Sequence, residues 1–234
     1  MFRFKQFSVD QTGCAMKINT DGVLLGALAE ADGPKSILDI GTGTGVIALM
    51  LAQRFTDAMI DAVEIDPDAT KTARKNFRES SFAKRLQVFD LGFEEYFQLH
   101  GDKKYDLIVS NPPFYVSSLK SPGAKKNLAK HTDVGFFEQL IIAISAHLTP
   151  IGYCWLVLPL NLFELVVSWS DKHGLFLKKT IYVRSYPDSP PHRVVVSLSL
   201  HKAAVETNDF EIYSARDVYS EKYRNLLQPY FIAF

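Results

Sequence analysis

Ser36-Ile37-Leu38-Asp39-Ile40 runs into Gly41-Thr42-Gly43-Thr44-Gly45 and then into Val46-Ile47-Ala48-Leu49-Met50-Leu51-Ala52. A short apolar run, a glycine turn and an apolar stretch of helical length make the first unit of a doubly wound α/β sheet, where ligands bind beyond the carboxyl ends of the strands. The glycines fall at 41, 43 and 45 and position 46 is Val, so the Gly-x-Gly-x-x-Gly dinucleotide fingerprint is not met. No Gly-Lys-Ser/Thr follows either, which argues against a phosphate-cradling loop. What remains is a loop whose missing side chains let a neutral or zwitterionic ligand approach the backbone. Asp39, with Thr42 and Thr44 beside it, adds a carboxylate suited to an ammonium group.

Downstream, the pattern repeats with an acid at each strand end. Met59-Ile60-Asp61-Ala62-Val63-Glu64-Ile65 is a second strand, and Glu64 sits about 20 residues past the glycine loop, where a carboxylate can accept both hydroxyls of a ribose. Asp66 followed by Pro67 is a helix start, so Asp66 reads as structural. Lys71, Arg74, Lys75 and Arg78 then form a solvated helix face. Leu86-Gln87-Val88-Phe89 ends in Asp90, an acceptor of the kind an adenine amino group needs.

The fourth apolar run, Tyr105-Asp106-Leu107-Ile108-Val109, stops at Ser110-Asn111-Pro112-Pro113-Phe114. Proline locks φ and donates nothing to a ladder, so the run reads as a buried strand ending in a stiff loop. Asn111 offers an amide oxygen, Pro112 a carbonyl and Phe114 an aromatic face. Together they can accept two hydrogen bonds from a planar amino group while a ring stacks on the system bearing it. Alone, Asn-Pro-Pro reads equally as a strand-ending turn. Asp39, Glu64, Asp90 and Asn111 at four successive tips make a chance arrangement a poor explanation.

Around this core, Phe4 to Gln11 alternates apolar and polar positions and predicts a short strand or hairpin. Thr20 or Asp21 is expected to cap the apolar run Val23-Leu24-Leu25-Gly26-Ala27. Toward the end, a helix capped by Asp133 and ending near Thr149-Pro150 is expected. It precedes a strand at Tyr153 to Leu158, a helix from Asn161 to His173 and an antiparallel pair at Phe176 to Val183 and Val194 to Leu200. Alternating β and α ending in a hairpin predicts one mixed sheet of seven strands with helices on both faces. A single domain spanning 1–234 is expected, with 1–35 an amino-terminal extension and 36–234 the core.

Composition excludes several classes. The chain has 234 residues, 47% hydrophobic and 22% charged, with Lys+Arg and Asp+Glu both 26. That balance leaves no global field for nucleic acid or membrane, so a polyanion must meet a local patch. The start Met1-Phe2-Arg3-Phe4-Lys5-Gln6-Phe7 lacks the features of a signal peptide, and no uncharged apolar run reaches about 18 residues. A cytoplasmic protein is expected. Cys14 and Cys154 lie far apart without clustered His, which points to neither a metal site nor a disulfide.

Asp39 to Gly45, Glu64, Asp90 and Asn-Pro-Pro-Phe resemble the motifs of class I S-adenosylmethionine-dependent methyltransferases, in the subset that methylates amino groups. Further blocks are similar to the bacterial tRNA-Val (adenine-37)-N6-methyltransferase family: Gln6-Phe7, Gln11-x-x-Cys14-Ala15-Met16-Lys17, Thr20-Asp21-Gly22-x-Leu24-Leu25-Gly26-Ala27 and Tyr219-Ser220-x-x-Tyr223-Arg224. The resemblance covers nearly the whole chain. It implies a Rossmann-like sheet in the order 3-2-1-4-5-7-6, counting core strands from the first. It also implies S-adenosyl-L-methionine as cofactor, with Gly41, Gly43 and Gly45 beneath its methionine part, Glu64 on its ribose and Asp90 on its adenine. Lys17, Thr20 and Asp21 would close over the methionine end or the mouth of the site, and Asn111, Pro112 and Phe114 would hold the target base.

Such chemistry needs no nucleophile from the protein, because the methyl donor is already activated and positioning supplies much of the rate. No general base is assigned, and His131 and His147 read as polar packing residues. The implied partner is the anticodon loop of tRNA-Val, met by a monomer without metal or membrane. Lys120, Lys125, Lys126 and Lys130 in a Gly/Ser/Pro-containing insertion are candidates to track its phosphates, though the same lysines suit a solvated loop. Arg184 to Arg193, a turn-rich connection holding Tyr186, is the second candidate. A glutamine N5-methyltransferase would use the same Asn-Pro-Pro-aromatic motif, and an rRNA guanine-N2 enzyme shares it too. A noncatalytic RNA-binding module is the alternative from a different class.

Overall fold

The computed structural model describes residues 1–112 and 126–234, the side chains of 126–134 excepted. The chain opens with a small antiparallel pair, β1 (Phe2–Arg3) and β2 (Ser8–Val9), a hairpin whose second strand lies in the alternating segment and whose first precedes it. Next come α1 (Thr20–Leu28), β3 (Ser36–Ile40), α2 (Val46–Arg54), β4 (Met59–Glu64), α3 (Pro67–Glu79), β5 (Leu86–Asp90), α4 (Phe93–Leu99) and β6 (Tyr105–Ser110). The second half holds α5 (Lys126–His147), β7 (Leu148–Leu158), α6 (Leu160–Lys172), β8 (Phe176–Arg184), β9 (Pro191–Ser199) and β10 (Glu206–Glu211). It closes with the hairpin β11 (Tyr213–Ala215) and β12 (Val218–Tyr219), then α7 (Glu221–Leu227).

The main sheet runs β10-β8-β9-β7-β6-β3-β4-β5. Counted from β3 as the first, seven of these strands lie in the expected order 3-2-1-4-5-7-6, and an eighth, β10, is added parallel to β8 at the edge. Seven strands were expected because Glu206-Thr207-Asn208-Asp209-Phe210-Glu211 buries only Phe210 and carries no apolar alternation. An edge strand bonds on one side only and tolerates such polarity. Strands β3 to β7 are parallel, and β9 runs antiparallel between β7 and β8.

Both faces of the sheet are covered, which is why its central strands are apolar throughout. Side chains alternate between the two layers: Ile37, Leu107, Val109, Trp155 and Val157 join a core with α1 and α2, while Leu38, Ile40, Ile108, Leu156 and Leu158 join one with α4, α5 and α6. The amino-terminal extension is tied down by the end of the chain. Phe4 bridges Phe231, the Lys5 N–H donates to the Tyr230 carbonyl at 2.7 Å, and its ammonium reaches the carbonyls of Gln228 and Phe234.

Several boundaries differ from expectation; β9, for one, starts at Pro191 where Val194 was expected. Helix α1 is capped by Asn19, whose Oδ1 accepts from the Gly22 N–H at 2.9 Å, so Thr20 and Asp21 lie within its first turn instead. Helix α5 starts at Lys126, and Asp133 falls inside it, because no Gly or Pro interrupts the helix-forming residues between. Strand β7 begins at Leu148 and includes Thr149-Pro150, since its register with β6 shifts between Tyr105 and Leu107 and a bulge tolerates proline.

Candidate active site

The parallel strands bring Ile40, Glu64, Asp90 and Ser110 to one edge, Glu64 opposite Asp90 and Ile40 opposite Ser110. Ser110 Oγ donates to the Ile40 carbonyl at 2.8 Å, so the strand that delivers Asn111 is tied to the one that delivers the glycine loop. Gly41, Gly43 and Gly45 all have positive φ, at 72°, 56° and 82°. A Cβ on Gly41 or Gly43 would meet nothing within 4 Å, which leaves the backbone open on that side. At Gly45 the reason is different: a Cβ would stand 2.5 Å from Phe77, so the absent side chain lets α2 start directly against α3.

Glu64 is half-buried and held at both oxygens. Oε2 accepts from the Gly43 N–H at 2.8 Å and Oε1 from the Asp66 N–H at 2.9 Å. Each carboxylate oxygen has a further lone pair, so acceptor capacity remains. Asp90 is exposed and, among the described residues, takes a long contact from Thr70 Oγ1 at 3.4 Å.

Asp39 is fully buried beneath the loop. Its Oδ2 accepts from Thr42 Oγ1 at 2.6 Å and from the Ala48 N–H at 3.2 Å, anchoring the start of α2. Oδ1 has no partner among the described residues. Burial pushes this carboxyl up to about 7, against the two hydrogen bonds and with a contribution from the Glu64 charge.

At the end of β6 the Asn111 Oδ1 is likewise buried without a partner among the described residues. The amide nitrogen faces the first turn of α1, where a Cβ on Gly22 would lie 3.8 Å from it. Pro112 is buried beside it. Phe114 lies outside the described residues, as do Lys120 and Lys125, and the side chains of Lys126 and Lys130 are not described.

The extension therefore reaches the site through α1. Lys17 and Thr20 are exposed there, and Asp21 Oδ2 accepts from Arg193 Nε at 2.9 Å. Arg193, a candidate RNA contact, is thus engaged in joining β9 to α1, and Arg184 pairs with Asp209 on β10. Sequence reading missed Asn76, which is buried on α3. It donates to the carbonyls of Thr44 and Asp10 at 2.8 and 2.9 Å, fastening the glycine loop to the extension. Lys75, assigned to a solvated face, pairs with Asp10 at 2.7 Å. His147 stacks on Phe97 at 3.9 Å, in keeping with a packing role.

A hollow of about 330 Å3 lined by Glu30, Trp155, Lys179 and Glu206 lies toward the other end of the strands. Lys179 pairs there with both glutamates, so its charges are already satisfied. Among the described residues no cluster of His, Cys, Asp or Glu could hold a metal ion, and no helix is long and apolar enough to cross a membrane.

A mixed sheet whose parallel strands carry an open glycine loop, a tethered Glu and, at the carboxyl edge, an Asn whose Oδ1 has no partner among the described residues is that of a Rossmann-like methyltransferase, and residues 18–162 match the methyltransferase small domain. Solved structures share the fold. A protein of Agrobacterium tumefaciens described as a predicted O-methyltransferase superposes with a TM-score of 0.71 at 16% identity, covering 90% of this chain and 96% of that one. TrmN from Thermus thermophilus gives 0.56 at 19% identity, with 76% and 47% covered. Two curated relatives carry the name tRNA1(Val) (adenine(37)-N6)-methyltransferase. That of Pedobacter heparinus is 47% identical over 233 residues, 100% of this chain and 98% of the relative, and that of Parabacteroides distasonis is 41% identical over 99% and 97%. The chain belongs to the tRNA1(Val) (adenine(37)-N6)-methyltransferase family.

Proposed function

We propose that this protein methylates N6 of an adenosine in tRNA, adenosine 37 in the anticodon loop of tRNA-Val, using S-adenosyl-L-methionine. The observation that carries the reading is the Oδ1 of Asn111 at the tip of β6, buried and without a partner among the described residues. A buried acceptor without a donor costs about 1–3 kcal/mol, which a substrate N–H would relieve. The residues fit the cofactor on two further counts: the open side of Gly41 and Gly43, and the acceptor capacity left on a Glu64 carboxylate that two backbone N–H groups hold in place.

When bound, the cofactor supplies an electrophilic sulfonium methyl group. Glu64 would hold its ribose hydroxyls, Asp90 its adenine amino group, and Asp39 its ammonium through the free Oδ1, with Thr42 keeping Asp39 oriented. Asn111 and the Pro112 carbonyl accept the two N–H bonds of the target amino group, which favours a pyramidal nitrogen with its lone pair directed outward. Phe114 stacks on the base, and Lys17, Thr20 and Asp21 close the mouth of the site. Because the amide and the carbonyl orient the nucleophile, the gain is one of position, and the proton leaves to water after transfer.

The test is to incubate the protein and labelled cofactor with total tRNA from a strain lacking it, then digest and identify the labelled nucleoside. N6-methyladenosine in tRNA-Val is expected. Label in a guanine N2 position, in protein glutamine, or nowhere would overturn the reading.

A further inference from the structure

Four tyrosines form a row along the edge of the molecule that carries the site, three stacked face to face and the fourth, Tyr186, tilted against them. Tyr223 of α7 is buried and stacks on Tyr219 at 4.8 Å and 9°; Tyr219 stacks on its cross-strand partner Tyr213 at 5.0 Å and 19°; Tyr213 meets Tyr186 at 5.6 Å and 31°. The ladder is closed at its inner end, where Phe234 lies edge-on to Tyr223 and Tyr219. Its outer end is open: Tyr186 is 39% exposed, and among the described residues no second ring lies on it.

The outer rung is held rigidly. Ser189 Oγ accepts from the Tyr186 N–H and donates to the Tyr186 carbonyl, both at 2.8 Å, and the Ser189 N–H donates to that carbonyl at 3.0 Å. Pro187 follows Tyr186 in this turn. Behind it, the N–H groups of Ile212 and Tyr213 donate to the carbonyls of Arg184 and Ser185, fixing the β11 hairpin against the turn.

Its place in the topology gives the ring a purpose. The turn joins β8 to β9, and Arg193 near the start of β9 grips Asp21 in the first turn of α1, whose Gly22 faces the Asn111 amide. The open ring thus belongs to the same rim as Asn111. At the tip of the β11 hairpin Arg216 is 93% exposed and pairs with the equally exposed Asp217 at 3.7 Å, a surface pair that a phosphate could exchange into.

The geometry points to Tyr186 as a stacking platform for an unpaired RNA base next to the one held by Asn111. This rests on the proposed tRNA reading and deepens it. Aromatic rings suit single-stranded loops because every base offers a π-face, so stacking tolerates any sequence. A target adenine withdrawn from its loop leaves an unstacked neighbour, and the platform replaces the stacking that neighbour has lost.

The experiment measures Kd and KM for an anticodon stem-loop RNA, kcat, and cofactor Kd for wild type and for Tyr186→Leu, Tyr186→Phe and Tyr186→Trp. Leu still covers Tyr213 but offers no ring. It should raise RNA Kd and KM about tenfold, close to 1.4 kcal/mol, with kcat and cofactor Kd within about twofold. Phe and Trp should bind within about twofold of wild type. The loss should be the same at about 50 and 200 mM salt, since stacking neutralises no phosphate, whereas Arg216→Ala should flatten the salt slope. Unchanged RNA binding by the Leu variant, an equal loss with Phe, or a loss that fades with salt overturns the platform. A wild type that binds this RNA but does not methylate it sinks the enzymatic reading instead, and the Leu-to-Phe comparison of Kd still decides the platform.

Discussion

The backbone N–H of Gly43 donates to Oε2 of Glu64 at 2.8 Å, so the loop beneath the proposed cofactor and the acid proposed to hold its ribose position each other. Glu64→Ala removes the acceptor for two N–H groups at once, those of Gly43 and Asp66. Cofactor Kd by calorimetry should rise at least tenfold, with kcat at saturating cofactor reduced less. A variant with unaltered cofactor Kd would refute the assignment.

Asn111→Ala should separate stability from activity. Among the described residues the Oδ1 of Asn111 has no partner to lose, so the thermal midpoint should hold or rise. Methyl transfer in a single turnover should fall about a hundredfold or more, the cost of a misplaced nucleophile, while cofactor Kd stays put. Near-normal turnover would remove the amide from the mechanism.

Asp39 predicts a pH dependence with a definite sign. A carboxyl raised on folding from 3.8 to about 7 contributes stability that is fully present below about 3.8 and is lost as pH rises toward 7. Asp39→Asn should flatten the fall in thermal midpoint between pH 4 and 7. An ammonium ligand favours the ionised form, so cofactor binding should tighten between pH 5.5 and 7 in wild type and not in the Asn variant. Parallel curves for the two proteins would contradict this.

The ion pair of Arg193 with Asp21 is half-buried and spans β9 and α1. Arg193→Ala should lower the thermal midpoint by about 2–4 °C, as a loss of about 1 kcal/mol does in a chain of this size. In a double-mutant cycle with Asp21→Ala, a coupling of about 0.5 kcal/mol or more is expected. Strict additivity would mean that the two act separately.

Much of the site was legible because each core strand is an apolar run broken by a polar residue, and parallel strands put those breaks on one rim. The chain from Ser36 to Asn111 could be read this way almost residue by residue. What escaped has physical causes. Asn19, Thr20 and Asp21 are three successive residues able to cap, and only the structure shows Asn19 doing so. Arg193 and Asp21 are 172 positions apart, beyond any local pattern. Asn76 sits in a helix whose neighbouring charges mark it as surface, yet it faces inward to fasten the loop. Strand β10 is polar because half of it borders water.

The bonds from Phe4 and Lys5 to residues 228–234 also set an order of events during translation. Phe4 and Lys5 find these docking partners only after α7 and residues 228–234 have been made, and α1 touches α7 as well. A nascent chain can assemble its sheet before the extension has these residues to dock on. The same adjacency of the two ends makes the protein a natural candidate for circular permutation, in which a short linker would replace the clasp.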